Sequence, residues 1–366
     1  MDCDYLIVGA GIAGASLAWH LAPHGRVIIL ESEDHPGMHA TGRSAAFFAE
    51  TYGGRGVQPL TTASKAFFRA PPADFTQVPL IRERGALHVA RPGSEAVEVL
   101  MRQFAGTGVH IERLGAAETR ARMPLLVPSW SRHSAWDPEC CDLDVAALHA
   151  AYLSGAKKRG ARLLAASPMQ SAQRVGNSWT VQTGSAQVTA RLLINAAGAW
   201  ADEVARRAGV SPIGIAPLRR TMLAVEIDRP IDPDWPLTVD ADGELYFKAE
   251  SGHLWITPHD EVPDQPSDAQ PDELAIATAI DRFERASVAR VKRIVRRWAG
   301  LRSFAPDRLP VYGEDPTAQG FFWCAGQGGF GIQTAPAASE MAAAIALGTD
   351  VASGVDPARY TPGRFR

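Results

Sequence analysis

Between Asp4 and Leu30 the chain carries a pattern that few folds accept. An apolar run ends at Val8 and the string Gly9-Ala10-Gly11-Ile12-Ala13-Gly14 follows. Ile12 to Leu21 is then rich in Ala and Leu, Pro23-His24-Gly25 stops it, and a second apolar run, Val27 to Leu30, ends at Glu31. Short apolar runs read as buried strands and the stretch between them as a helix. The segment is therefore one strand-helix-strand unit, the opening of a parallel sheet. Each glycine has a physical task. Gly9 permits the tight turn, Gly11 lets backbone approach a pyrophosphate, and Gly14 lets helix and strand pack closely. The helix N-terminus offers unpaired N–H groups to phosphate charge, and Glu31 can accept hydrogen bonds from ribose hydroxyls. Strand, helix and acid together favour a dinucleotide site over a chance glycine pattern in a buried turn.

With 366 residues, 46% hydrophobic and 21% charged, the chain is long enough for two domains, each with its own core. A formal charge of -3, with no basic run longer than Lys157-Lys158-Arg159, gives no broad field for a polyanion, so nucleic acid is not expected as a partner. The four cysteines, Cys3, Cys140, Cys141 and Cys324, show no C-x-x-C spacing and read as free thiols in a reducing cytoplasm. The uncharged stretch Tyr5 to Trp19 is broken by three glycines and falls short of the roughly 20 apolar residues a bilayer span needs. No membrane span is expected. A cytoplasmic protein, free or peripheral to the inner membrane, fits this reading. His253 and His259 share no metal-ligand pattern, and no metal is expected.

Ala86 to Ala90, Met169 to Val175, Trp179 to Thr183, Thr221 to Ile227, Glu244 to Lys248 and His253 to Thr257 read as short strands, several joined by Gly or Asn turns, and suggest antiparallel structure. Helical patterns occupy Ser94 to Phe104, Asp144 to Arg159, Glu273 to Arg285 and Ile332 to Leu347. The basic stretch Arg290 to Arg297 reads as a solvated helix, and Asp260 to Asp272, rich in Pro, Asp and Gln, as a surface loop.

The glycine motif alone does not separate NAD from FAD. The next segment, Thr41-Gly42-Arg43-Ser44-Ala45-Ala46-Phe47-Phe48, is dominated by small residues that let backbone run against a large flat ring, with the Ser44 hydroxyl free to bond it. Leu192 to Asn195 is a buried strand ending in Ala196-Ala197-Gly198. Near the C-terminus, the strand Phe321 to Ala325 leads into the glycine loop Gly326 to Gly331, and Ile332 opens a helix. Its N-terminus would stabilise the negative charge of a reduced flavin.

Taken in order, Gly9 to Gly14 with Glu31, Thr41 to Ala46, Asn195 to Trp200, Trp298-Ala299-Gly300-Leu301-Arg302-Ser303-Phe304 and Gly328 to Thr334 resemble the D-amino-acid oxidase superfamily over nearly the whole chain. Within it they look closest to the bacterial D-arginine dehydrogenases. The resemblance implies an α/β protein: a Rossmann-like FAD-binding domain of the glutathione-reductase type with an inserted α+β substrate domain on an antiparallel-rich sheet. The implied FAD-binding pieces are 1–84, 143–213 and 299–366, and the substrate pieces 85–142 and 214–298.

It also implies residue roles. Gly9, Gly11, Ile12, Ala13, Gly14, Glu31, Ser32, Thr41, Gly42, Arg43, Ser44, Ala45, Ala46, Met169, Ala197, Gly198, Gly326, Gly328, Gly329, Gly331 and Ile332 would hold FAD. Arg220 and Arg302 would grip a substrate carboxylate, for which the planar guanidinium fork is the best match. Tyr52 and Tyr246 would cover the substrate, and Gly329 and Gln333 would lie at the flavin edge. The implied reaction is hydride transfer from the α-carbon of a D-amino acid to flavin N5, giving an imino acid that water hydrolyses to a 2-oxo acid and ammonia. A dehydrogenase is expected over an oxidase, with quinone, dye and oxygen all open as acceptor. The alternatives are a flavin enzyme acting on 2-hydroxy acids or N-methyl amino acids, and a flavin-binding sensor or scaffold.

Departures from the family pattern narrow the substrate. The glutamate that holds a substrate guanidinium aligns with Ala86, a histidine near the flavin aligns with Phe47, and Leu237 and Val239 match apolar pocket positions. A neutral substrate side chain is expected. No cysteine or histidine falls where the family links flavin covalently, so FAD is expected to be held without a covalent bond.

Overall fold

The computed structural model describes all residues from 1 to 366. Strand Asp2–Val8 pairs in parallel with Val27–Leu30 on one side and Gln187–Asn195 on the other, as the opening pattern requires. Arg162–Leu164 extends this parallel array beyond Val27–Leu30, and Phe321–Ala325 extends it beyond Gln187–Asn195. An antiparallel pair, Met169–Val175 and Ser178–Thr183, and the edge strand Val311–Glu314 complete eight strands. Strands buried on both faces must be apolar throughout, and Val27–Leu30 and Phe321–Ala325 are fully buried. One face carries Tyr5, Ile7, Val27, Ile29 and Ile194 under helices Ile12–Leu21, Val145–Lys158 and Gly331–Leu347. The other carries Leu6, Val8, Ile28, Leu30 and Leu193 under Ala201–Arg207.

A second sheet of ten strands is built from Ala86–Val89, Ser134–Asp137, Ala216–Ile227, Leu237–Asp240, Tyr246–Glu250, His253–Thr257 and Val291–Phe304 with three short edge strands. All its pairings are antiparallel except that of Leu237–Asp240 with Ala86–Val89. Because side chains alternate faces along a strand, register decides which residues look the same way. Leu87, Val89, Leu223, Val225, Phe247, Leu254 and Ile256 share one face and are covered by helix Glu273–Ala286. The opposite face collects Ala86, Arg220, Met222, Leu237, Tyr246, Lys248, Trp298, Gly300 and Arg302. That face turns toward the first sheet. Buried Lys248, paired with Asp142 at 3.0 Å, and Arg84, paired with Asp142 at 2.5 Å, tie it to a small sheet of Phe47–Phe48, Ile81–Glu83 and Cys141–Leu143.

Two expectations are corrected. Arg290 to Arg297 is not a helix; it opens the fourteen-residue strand Val291–Phe304. Val291, Ile294 and Val295 suit a pleated surface, and pairing along the whole of Ala216–Ile227 outweighs the helix preference of the arginines. The arginines of the exposed face find partners, Arg293 with Glu226 and Arg297 with Glu273. The loop Asp260 to Asp272 contains a short strand, Val262–Pro263, paired with Leu218–Arg219. The strand Val291–Phe304 also runs through the expected border at 298/299, and Cys141–Leu143 through that at 142/143. The four cysteines are free and buried; burial lifts the Cys141 thiol to about 11 and Cys140 well above its ordinary range, which leaves the vicinal pair unreactive.

Candidate active site

Two cavities of about 340 and 160 Å³ meet along the seam between the sheets, sharing Gly11, Thr41, Arg43 and Gly198 among their walls. The glycine turn is built as tightly as its composition demands. A β-carbon on Gly9, whose φ is +103°, would stand 2.5 Å from the Ala196 carbonyl oxygen, and one on Gly14 would stand 1.9 Å from that of Gly9. No side chain fits either place. Gly14 therefore acts by packing and does not line the cavity, and Gly42 and Gly326 likewise lie outside both walls.

The larger cavity is walled by Gly9, Glu31, Ser32, Met169 and Ala197. Glu31 is buried; Oε2 accepts from the Ala10 N–H at 2.9 Å and Oε1 from the Glu33 N–H at 3.0 Å. The Thr41 hydroxyl accepts from the Ile12 N–H at 3.0 Å, so the Thr41 loop is pinned to the first helix. Trp200, from the Asn195 to Trp200 segment, also faces this cavity, as do His39, Ser167 and Arg207, which no periodicity or spacing in the sequence marks.

The smaller cavity holds Ile12, Ala13, Ser44, Ala45, Ala46, Phe47, Gly328, Gly329, Gly331, Ile332 and Gln333 with Tyr52, Arg220, Met222, Tyr246 and Arg302. Two helix N-termini, those of Ile12–Leu21 and Gly331–Leu347, open onto the joined groove, which suits a ligand carrying phosphate and developing negative charge. Ala46 sits in the left-handed region at φ +49° just where the chain passes the cavity, and its N–H donates to the Ser44 hydroxyl at 3.1 Å. Arg43 is a cross-brace: its guanidinium donates to the Ala269 and Ala299 carbonyls at 3.0 Å each and pairs with Asp268.

Arg220 and Arg302 stand diagonally across one antiparallel pair, because Leu218 lies opposite Arg302 and Arg220 opposite Gly300. Arg220 is 5% exposed, its Nε donates to the Asp260 carbonyl at 2.7 Å, and neither terminal nitrogen has a hydrogen-bond partner. Burial and the neighbouring Arg302 charge lower its pKa from the ordinary arginine value. Arg302 donates to the Tyr52 hydroxyl at 3.2 Å and pairs with Glu261. A β-carbon on Gly329 would stand 2.9 Å from Arg302 Nη1 and 3.2 Å from that hydroxyl, so a side chain there would push the Arg302 guanidinium from its place beside Tyr52.

Phe47 lies 5.0 Å from the Tyr52 ring and 5.8 Å from that of Tyr246, forming an aromatic wall. Burial, with Tyr52 beside it, raises the Tyr246 hydroxyl to about 12, so it stays protonated. Gln333 is fully engaged elsewhere: its Oε1 accepts from Ala49 N–H at 3.2 Å and its Nε2 donates to the Tyr52 carbonyl at 3.1 Å and to Thr61 at 3.0 Å, anchoring the Tyr52 segment. Ala86, Leu237 and Val239 pack behind Phe47, Met222 and Tyr246. His259, 5.5 Å from the Tyr246 ring, is also beside the site; burial, with Arg220 and Arg302, lowers its pKa to about 3. No group of three or more His, Cys, Asp or Glu side chains converges, and no helix is long and apolar enough to cross a membrane.

The family model described as "FAD dependent oxidoreductase" matches residues 4–345. The chain belongs to this family. It is 26% identical to the uncharacterized oxidoreductase YurR of Bacillus subtilis across 98% of both chains. The mitochondrial dimethylglycine dehydrogenase of Homo sapiens is 25% identical over 70% of this chain, which spans 30% of that enzyme. The crystal structure of glycine oxidase from Geobacillus kaustophilus superposes with a TM-score of 0.84 at 22% identity, covering 98% of each chain. These likenesses carry the family and the fold; the finer likeness to D-arginine dehydrogenases is not among what they establish. This FAD dependent oxidoreductase has the α/β architecture expected, with FAD as its cofactor. The glycine cradle, which a β-carbon would fill, and the paired helix N-termini fit a flavin dinucleotide.

Proposed function

We propose that the protein oxidises the α-C–N bond of a D-amino acid. The observation that carries this is Arg220: a guanidinium out of water whose terminal nitrogens make no hydrogen bond, with the nearest carboxylates, Glu261 and Asp260, only at 3.7 and 3.8 Å, leaves donors open to a closer anion. Arg302 on the same face supplies the second fork, so one carboxylate can take charge-assisted bonds from both. Tyr52 and Tyr246 close the pocket over it, and Gly329 lets the loop approach. FAD, when bound, supplies the oxidant that takes hydride from Cα. The nitrogen lone pair forms the C=N bond as that hydride leaves, so the amine must be neutral, and water then hydrolyses the imino acid to a 2-oxo acid and ammonia. A 2-hydroxy acid would need a base for its hydroxyl proton. His259 is too weak a base, and His253 lies opposite Glu250 outside the cavity.

In this reading the FAD-binding unit comprises 1–84, 143–213 and 299–366 and the substrate unit 85–142 and 214–298, with the strands Cys141–Leu143 and Val291–Phe304 shared across two of the borders. The protein acts as a dehydrogenase in preference to an oxidase, with quinone, dye and oxygen all open as the acceptor. The test is anaerobic mixing with D- and L-amino acids, N-methyl amino acids and 2-hydroxy acids while flavin absorbance is followed. D-amino acids should bleach it fastest; bleaching by 2-hydroxy acids alone would replace the reading.

FAD is held without a covalent bond, so acid precipitation should leave the yellow colour in the supernatant. Colour retained in the pellet would refute this. Glu31→Ala should weaken FAD binding by about ten- to a hundredfold, the loss of one or two hydrogen bonds to a charged group. The flavin-to-protein ratio after dialysis measures it, and an unchanged ratio would remove Glu31 from the site. A modest fall in stability should accompany it, because Ala10 and Glu33 lose an acceptor.

A further inference from the structure

Glu261 lies in the loop expected to be mere surface, yet its carboxylate faces the proposed substrate arginines. It pairs with Arg302 and stands 3.7 Å from Arg220 Nη2. Its outer partner is Arg308, whose Nη2 reaches both carboxylate oxygens, at 2.8 and 2.9 Å. The backbone on either side is fixed. The Asp260 side chain accepts from the Thr221 N–H at 2.8 Å and hydroxyl at 2.9 Å, and Val262 pairs with Arg219. Glu261 is thus placed by the fold, not by chance on a loose segment.

From this geometry we infer that Glu261 is an internal rival of the substrate carboxylate and sets how many negative charges the site accepts. The inference rests on the reading of Arg220 and Arg302 as the carboxylate site. A substrate carboxylate docking on the Nη2 edge of Arg302 takes the place of Glu261, which keeps its two bonds to Arg308 and so is displaced without losing every partner; one docking on Nη1 or Nε shares the guanidinium with it. The cluster of Arg220, Arg302 and Arg308 with Asp260 and Glu261 carries one net positive charge, enough for one carboxylate. A second carboxylate, on the substrate's side chain, meets the Glu261 charge and is disfavoured.

The test uses the FAD-loaded protein and follows the flavin spectrum during titration with benzoate, a monoanion, and malonate, a dianion. Glu261→Gln should lower the dissociation constant for benzoate by on the order of tenfold, and for malonate by more. Arg308→Met should raise both constants, since Glu261 then has only the inner arginines to hold. The double variant should behave like Glu261→Gln. Weaker or unchanged benzoate binding in Glu261→Gln would overturn the inference, for it would make Glu261 a support for Arg302. The control is Arg302→Met. If it loses benzoate while Glu261→Gln fails to tighten it, the rivalry alone falls; if it binds benzoate as well as wild type, the carboxylate site itself is elsewhere and the inference falls with it.

Discussion

Replacing Arg302 with Met should raise the amino-acid concentration that half-saturates flavin reduction by about ten- to a hundredfold, the worth of one charge-assisted pair of roughly 1.5–3 kcal/mol. Arg220→Met should act to a similar degree. The two will not simply add. Burial first, and then the Arg302 charge, depresses the Arg220 pKa, so removing Arg302 relieves Arg220. Arg220→Met also strips the Asp260 carbonyl of its donor, so flavin content and unfolding must be followed beside the kinetics. Equal reduction kinetics at substrate levels far below saturation, in wild type and both variants, would take these residues out of the site.

The second large effect concerns the substrate's side chain. No Asp or Glu lines the inner cavity, and the wall is Phe47, Met222 and Tyr246 backed by Ala86 and Leu237. A guanidinium or ammonium group entering it gives up water for no free partner, since Glu261, the carboxylate beside the arginines, is already paired with Arg302 and Arg308, a cost of several kcal/mol. An apolar side chain gains about 25 cal/mol for each Å² it buries. Glu83 is the nearest carboxylate in sequence to Ala86, but its loop is clamped. Arg84 is held by Asp142 and the Trp235 carbonyl, and Gly85, at φ +73°, leaves a β-carbon only 2.0 Å from the Trp136 ring. Neutral D-amino acids such as D-Met, D-Leu, D-Phe or D-Pro should therefore reduce the flavin with second-order constants at least about a hundredfold above those of D-Arg and D-Lys. Stopped-flow reduction with this panel measures the difference. The highest constant with D-Arg would mean that the Glu83 loop opens, and Glu83→Gln would then be the variant to make.

Much of the cofactor site is legible in the sequence because its demands are local. A turn at φ +103° needs glycine, a buried parallel strand needs an unbroken apolar run, and both lie within thirty residues of the N-terminus. The substrate site is less legible because tertiary pairing builds it. Nothing local places Arg220 diagonal to Arg302; the register of two strands separated by more than sixty residues does. The same pairing turned Arg290 to Arg297 from an expected helix into a strand. Helix Gly54–Arg69 escaped because Gly54, Gly56 and Pro59 are breakers, tolerated here by packing against Gly331–Leu347. Gln333 was matched to the flavin edge, but its engagement with Ala49, Tyr52 and Thr61 depends on partners far from it in the chain. Glu261 was hidden for the reverse reason: a Pro-, Asp- and Gln-rich stretch looks like solvated loop whatever one of its carboxylates touches.

The central claim is that an amino acid loses its α-hydrogen and its nitrogen at this site, and one single-turnover experiment addresses it. The FAD-loaded protein is mixed anaerobically with a neutral D-amino acid, and flavin absorbance, 2-oxo acid and ammonia are quantified in the same sample. Oxidation of a primary amine predicts one 2-oxo acid and one ammonia for each flavin bleached. A flavin that stays oxidised with every amino acid, or one that bleaches without releasing ammonia, would contradict the account.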